Sequence, residues 1–147
     1  MPAPFNKFNV VVEHIMHGVH NFNTHTIKVA LTNTAPTATN TIFGDIVEIA
    51  AGNGYPAGGP SLVKISSGQT NGTYKYIVED LTITASGGAI GPFRYIVLYN
   101  SSVQLDQNNT ASKPLIGWYD YGQSITLNDG ESFTIDSSQT DGIIQLV

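Results

Sequence analysis

The sequence predicts a mainly β chain: an antiparallel β-sandwich or barrel with an N-terminal amphipathic helix and one short additional helix. Two observations carry this. Apolar and polar residues alternate with period two along several short runs, among them 27–32 (Ile-Lys-Val-Ala-Leu-Thr) and 74–79 (Tyr-Lys-Tyr-Ile-Val-Glu), the pattern of a strand with one buried face. Clusters of turn formers separate those runs, such as 34–37 (Thr-Ala-Pro-Thr) and 128–130 (Asn-Asp-Gly), and together they imply about seven or eight short strands. A chain of 147 residues suits one domain. Residues 1–25 read as an arm and helix packing on an antiparallel β domain formed by 26–147.

The N-terminal helix follows from Phe8, Val12, Ile15, Val19 and Phe22, whose spacings of four, three, four and three place them on one seam. His14, His17 and His20 fall on the opposite, solvated side, spread over about 120° of the wheel. Asn6 is a candidate cap, and Gly18 or Asn21 a candidate stop. Ile27, Val29 and Leu31 then define a strand with one buried face, closed by Pro36. Ile42, Phe43, Ile46, Ile49 and Ala50 recur at helical spacing before Gly52, which suggests the short second helix. Residues 52–60 are a loop by composition.

Tyr74, Tyr76 and Val78 mark one further strand, and Leu81, Ile83 and Ala85 another. Residues 93–99 are apolar on both faces apart from Arg94, so they read as a central strand covered on both sides. An exposed polar loop over 100–112 leads to an aromatic strand from Leu115 to Tyr121. Residues 124–127 and 131–135 read as the arms of a hairpin. A three-residue turn would pair Ile125 with Phe133 on one face and set Gly130 in the left-handed position. Ile143 to Val147 supplies the last strand.

Charge and composition exclude several function classes. Six basic residues are outnumbered by eleven acidic ones, for a net charge of −5. Lys7, Lys28, Lys64, Lys75, Arg94 and Lys113 are scattered, so neither a nucleic acid nor a charged membrane surface is an expected partner. No run of 18 apolar residues exists, and residues 1–7 lack the basic flank and apolar block of a secretory signal. Without cysteine there is no disulfide and no thiolate zinc site.

Chemistry-bearing motifs are also sparse. The histidines, His25 included, are spaced three, three and five apart rather than the four that puts two ligands on one helix face. No metal and no cofactor are expected. The glycine-rich stretches lack Gly-Lys-Ser or Gly-Lys-Thr, and no Gly-x-Ser-x-Gly is present. Glu79, Asp80, Asp120, Asp129 and Glu131 are available carboxylates, but no motif pairs them, and the chain is not expected to be an enzyme.

Charged residues make up only 12% of the chain, against about 25% in ordinary domains. Ser, Thr, Asn and Gly supply the polarity instead. Hydroxyls and amides lose water more cheaply than charges do, so such a surface tolerates burial against neighbours.

Four stretches resemble small virion proteins of tailed bacteriophages: 27–36 (Ile-Lys-Val-Ala-Leu-Thr-Asn-Thr-Ala-Pro), 45–55 (Asp-Ile-Val-Glu-Ile-Ala-Ala-Gly-Asn-Gly-Tyr), 84–95 (Thr-Ala-Ser-Gly-Gly-Ala-Ile-Gly-Pro-Phe-Arg-Tyr), and the segment from Pro114 to Ile135. The resemblance implies a structural protein of the particle. Expected partners are the major capsid protein or another virion protein, together with further copies of the chain, a trimer favoured by the local three-fold axes of a shell. Phe5 and Phe8 lie on a prospective flexible arm, and His14, His17 and His20 on the helix. With Tyr55, Trp118 and Tyr121 they are the candidate interface residues. Decoration of the capsid exterior is the leading expectation, and glycan or receptor binding through exposed aromatic rings is the alternative.

Overall fold

The computed structural model describes residues 3–146, and the expected mainly β architecture is present. The elements are β1 (Asn6–Lys7), α1 (Val10–Met16), β2 (Ile27–Thr32), a 3-10 turn (Phe43–Asp45), β3 (Lys64–Thr70), β4 (Thr73–Val78), β5 (Leu81–Thr84), β6 (Ile90–Asn100), β7 (Leu115–Leu127), β8 (Ser132–Ile135) and β9 (Ile144–Leu146). Three antiparallel sheets form, in the orders β1-β7-β6-β2, β3-β4-β9 and β5-β8. The last strand expected from Ile143 onward is β9; Val147 lies outside the described residues.

The four-stranded sheet is covered on both sides, as β6 foretold. Ile96 and Leu98 face the main core with Val29, Leu31 and Ile116. Val97 and Tyr99 face a second cluster with Ala30 and Leu115. Residues from the other two sheets close the main core, including Tyr76 and Val78 of β4, Ile83 of β5 and Phe133 of β8. Phe8, Ile46 and Phe43 close the second. Layering of this kind follows from the period-two geometry of strands: each added residue swaps faces, so a doubly apolar strand demands two covers.

The N-terminal helix is shorter than its pattern suggested and turned differently. It spans two turns rather than running from Phe8 to Phe22. Val11 and His14 point inward, whereas Val12 is 46% and Met16 83% exposed. Phe8 precedes the helix and is wholly buried; Phe22 follows it and packs 5.4 Å from the Tyr76 ring. The seam assumed one continuous helix, but three successive β-branched residues open it and its cap position, Asn9, makes no side-chain bond. Asn6 is instead part of β1, paired with Trp118 of β7. The stop near Gly18 is correct.

The second expected helix is only the 3-10 turn at Phe43–Asp45. The Asp45 carboxylate accepts the Thr41 N–H at 2.9 Å and the Ile42 N–H at 3.2 Å, which favours a turn and holds its pKa below the usual range. The chain then runs extended along the edge of β2. Ile49 N–H donates to Leu31 C=O at 3.0 Å, and Glu48 bridges Thr32. Apolar residues three apart satisfied an edge segment here, which periodicity alone cannot tell from a helix.

The C-terminal hairpin is also corrected. Gly130 does take the left-handed conformation, at φ +89°, and Glu131 N–H donates to Asn128 C=O at 2.9 Å. The arms nevertheless diverge. Ile125 pairs with Phe93 of β6, and Phe133 with Ile83 of β5. Both arms still contribute to one core, where the Phe93 and Phe133 rings lie 5.2 Å apart. The turn chemistry was local and readable; the choice of partner strand was tertiary.

β3 carried no apolar alternation and was not anticipated, being polar and exposed along nearly its whole length. The free edge of β2 is closed by irregular chain. Val29 N–H donates to Pro60 C=O at 2.9 Å and Leu62 N–H to Ile27 C=O at 2.8 Å. This brings Gly59 so close that a Cβ would lie 1.7 Å from the Val29 carbonyl oxygen, at φ +81°. No side chain fits there. Gly59→Ala is therefore expected to cost about 3 kcal/mol or more of unfolding free energy. Chemical denaturation checks this: an unchanged midpoint would show that the 56–60 loop does not seal the β2 edge.

Candidate functional site

The eight candidate interface residues do not form one surface. Phe5 is half-buried against Tyr119, with ring centroids 5.6 Å apart. Phe8 is fully buried, 4.7 Å from the half-buried Trp118 ring. The arm expected over residues 1–9 is therefore part of the fold from Phe5 onward. Met1 and Pro2 lie outside the described residues. Gly117 makes this docking possible, because a Cβ there would stand 2.3 Å from the Phe5 ring and 2.7 Å from the Asn6 carbonyl oxygen.

Tyr55 is 1% exposed and acts as a structural clamp. Its hydroxyl accepts the Leu31 N–H at 2.9 Å and donates to Glu48 Oε2 at 2.6 Å. Burial, and the hydrogen bond to Glu48, push its pKa well up, so the phenol stays neutral and able to donate. Of the eight, His17 and Tyr121 are exposed.

The histidines are not a solvated face. His14 is 9% exposed and His20 half-buried, with their rings 5.8 Å apart and edge-on. Asn100, at the end of β6, is fully buried and links His20 and His25 to the strand. Its Nδ2 donates to His20 Nδ1 at 3.1 Å and to His25 Nδ1 at 2.9 Å. His25 Nδ1 also accepts the Asn21 N–H at 3.1 Å. Both Nδ1 atoms are thus acceptors, which places the proton of each neutral ring on Nε2. His20 Nε2 and His14 Nδ1 are buried with no hydrogen-bond partner. Burial, and then the charges of His14 and His25, push the His20 pKa down to about 4. Burial lowers His14 as well; Glu13 opposes this and His17 adds to it. The expected solvated cluster is therefore a neutral, partly buried one that ties the segment after α1 to the sheet. Asn100 was the member sequence reasoning missed, since a polar residue ending an apolar strand reads as the start of a loop.

Two clefts lie among the described residues. The first, of about 1060 Å³, lies between α1 and the β9 end of the three-stranded sheet, with Val11, Ile116 and Ile144 among its lining residues. Phe22, Tyr74 and His20 also line it. The second, of about 490 Å³, is bordered by Tyr119, Tyr121, Asp120, Asp136 and Asp141. Asp120 is held by Arg94 in a two-point contact at 2.8 and 3.1 Å, which keeps its carboxyl below the usual range. Among the described residues, no three His, Asp or Glu side chains converge to hold a metal ion. No protein-family model, curated protein or solved structure matches the chain.

The histidine cluster predicts a pH dependence whose sign is fixed. His20 titrates near 6.5 when unfolded and at about 4 when folded. Its stabilising contribution is fully present above about pH 6.5 and is lost as pH falls towards about 4, at most about 3 kcal/mol. Protonation at Nδ1 would also break the bond from Asn100. Thermal melts across this window are expected to fall in the wild type and to flatten in His20→Asn. A wild-type melting temperature that stays level until the carboxylates titrate would refute the buried neutral cluster.

Proposed function

We propose that this chain is a structural component of a tailed-phage particle that binds the outside of the head shell and reinforces it. The observation that carries the reading is the exposed surface of a self-contained β domain, polar through hydroxyls and amides rather than charges. The β5–β8 ribbon illustrates it: Thr82 and Thr134 hydroxyls meet at 3.0 Å, and Thr84 and Ser132 at 2.7 Å, on the exposed side. Neutral groups already paired with one another lose little when water is displaced, which suits contact with a lattice of neighbours. The acidic balance favours the exterior over the DNA-facing interior. The resemblance of four stretches to virion proteins points the same way.

The partner on this reading is the major capsid protein or another virion protein. Its test is addition of the purified chain to shells lacking it. Saturable binding and a higher temperature of shell disruption are expected; shells that neither bind the chain nor gain heat resistance would end the proposal.

The second cleft favours one alternative, a glycan- or receptor-binding component of a fibre. Tyr121 is 36% exposed beside Asp120 and Asp136, so a ring face and acceptors for sugar hydroxyls sit together. Trp118, half-buried and packed at a tilt against Phe8, is not free for such a role. Saturable attachment to host polysaccharide, reduced at least about tenfold by Tyr121→Ala, would support this reading over shell binding. Attachment unaffected by the substitution would exclude this cleft.

A further inference from the structure

We propose that the 1060 Å³ cleft beside α1 is a two-fold contact between two copies of this chain. Its lining runs from core residues to exposed apolar ones. Ile116 is 1% exposed, whereas Val12 and Leu146, which also line it, are 46% and 49% exposed. Side chains four apart on a helix share a face, so Met16, 83% exposed, stands one turn beyond Val12. The patch thus holds a hollow and an apolar projection side by side. A surface carrying both is able to serve as its own partner across a two-fold axis, whereas a three-fold ring joins two different patches.

A strand edge lies in the same place. β9 ends the three-stranded sheet and contributes Ile144, Gln145 and Leu146 to the cleft wall. The opposite edge, β3, begins with Lys64 and carries a register shift between Lys64 and Ser66, both devices that discourage pairing with another chain. The described residues of β9 have no lysine, no proline and no such shift. Electrostatics select this face too. None of the eleven acidic side chains lines the cleft, and Lys7 is the charged residue that does. Two copies of a chain of net charge −5 repel least where their carboxylates are absent. The proposal differs from the trimer favoured by the sequence reading, and it does not use His14, one of the candidate interface residues, which is buried. It concerns the free chain and holds or fails without any shell.

Sedimentation velocity on the full chain up to about 100 µM, a range that captures weak association, tests it. Wild type is expected to dimerise reversibly. Met16→Asp and Leu146→Asp are each expected to weaken dimerisation at least about tenfold, and Val63→Asp, at an exposed apolar site outside the cleft, to leave it unchanged. The altered side chains are all about half exposed or more, and melting curves check that the variants fold. Wild type that stays monomeric, that forms trimers, or whose dimer responds to Val63→Asp and not to Met16→Asp would overturn the proposal. So would tight binding of anilinonaphthalene sulfonate by a strictly monomeric wild type, which would assign the cleft to a small apolar ligand. Shell binding by monomeric Met16→Asp separates the two readings: retained binding leaves shell decoration standing whatever becomes of the dimer.

Discussion

The need to cover β6 on both faces governs this fold. Residues 96–100 are all buried, and the side chains of 96–99 alternate between two apolar clusters. A strand of this kind is stable only inside a sheet with a layer above and a layer below. The other two sheets supply the first layer. Chain without regular structure supplies much of the second, and the N-terminal segment does part of that work by crossing the sheet at its β7 edge. Phe5 stays with the main core, and Phe8, past the two residues of β1, reaches the second. Full burial of a phenylalanine is worth about 1.5–3 kcal/mol, which offsets part of the roughly 1–2 kcal/mol per residue lost in fixing the crossing element; the β1–β7 pairing and the Phe8 N–H bond to Ile116 C=O at 3.1 Å supply the remainder. Gly117 leaves the space the crossing needs. That is why an apparently loose terminus is part of the structure.

The same logic explains how the sheet's other edge is treated. β2 ends the four-stranded sheet, and its outward N–H and C=O groups would be exposed or unpaired if nothing covered them. Three separate pieces of chain answer them: Glu48–Ile49, the Tyr55 hydroxyl, and the Pro60–Leu62 segment. Irregular chain can do this because each piece needs only one or two bonds in register. Tyr99 adds a second tether by donating to the Gly58 carbonyl at 2.6 Å. The 52–60 loop, glycine-rich by composition, is thereby fixed by two buried phenols rather than left free.

The sequence showed strands wherever burial was one-sided or complete. β2, β4, β5, β6 and β7 all announced themselves through alternation or unbroken apolarity, because those patterns arise from the faces of a strand. β3 did not, since neither face is buried and nothing in its composition distinguishes it from a loop. Helical spacing misled twice for one reason: apolar residues three and four apart also arise when an irregular segment turns its side chains to successive neighbours. Phe8 and Phe22 flank a two-turn helix, and Ile46 and Ile49 lie along an edge. The candidate site was less legible still. Tyr55 and Phe8 were expected at an interface, but both are buried and their contacts are internal. Whether an aromatic ring faces a partner or a core is settled by the packing around it.

Histidine makes the sharpest version of this point. On a helical wheel His14 and His20 lie opposite the apolar seam and read as solvated. In the fold the helix stops after Met16, the chain turns back, and His20 reaches Asn100 from outside the helix altogether. A neutral imidazole is an acceptable core group when one nitrogen is bonded, and the Asn100 amide satisfies two rings at once. The cost is two nitrogens without partners beside an apolar cleft. A segment held this way is tied down at neutral pH by groups that acid alone can charge. The anchorage of α1, and with it one wall of the cleft, therefore depends on the protonation of side chains that carry no formal charge in the folded state. Most of the carboxylates of this acidic chain lie elsewhere. Through His20, acid weakens the fold at this contact, because the unfolded chain takes up a proton near pH 6.5 that the folded chain resists until about pH 4.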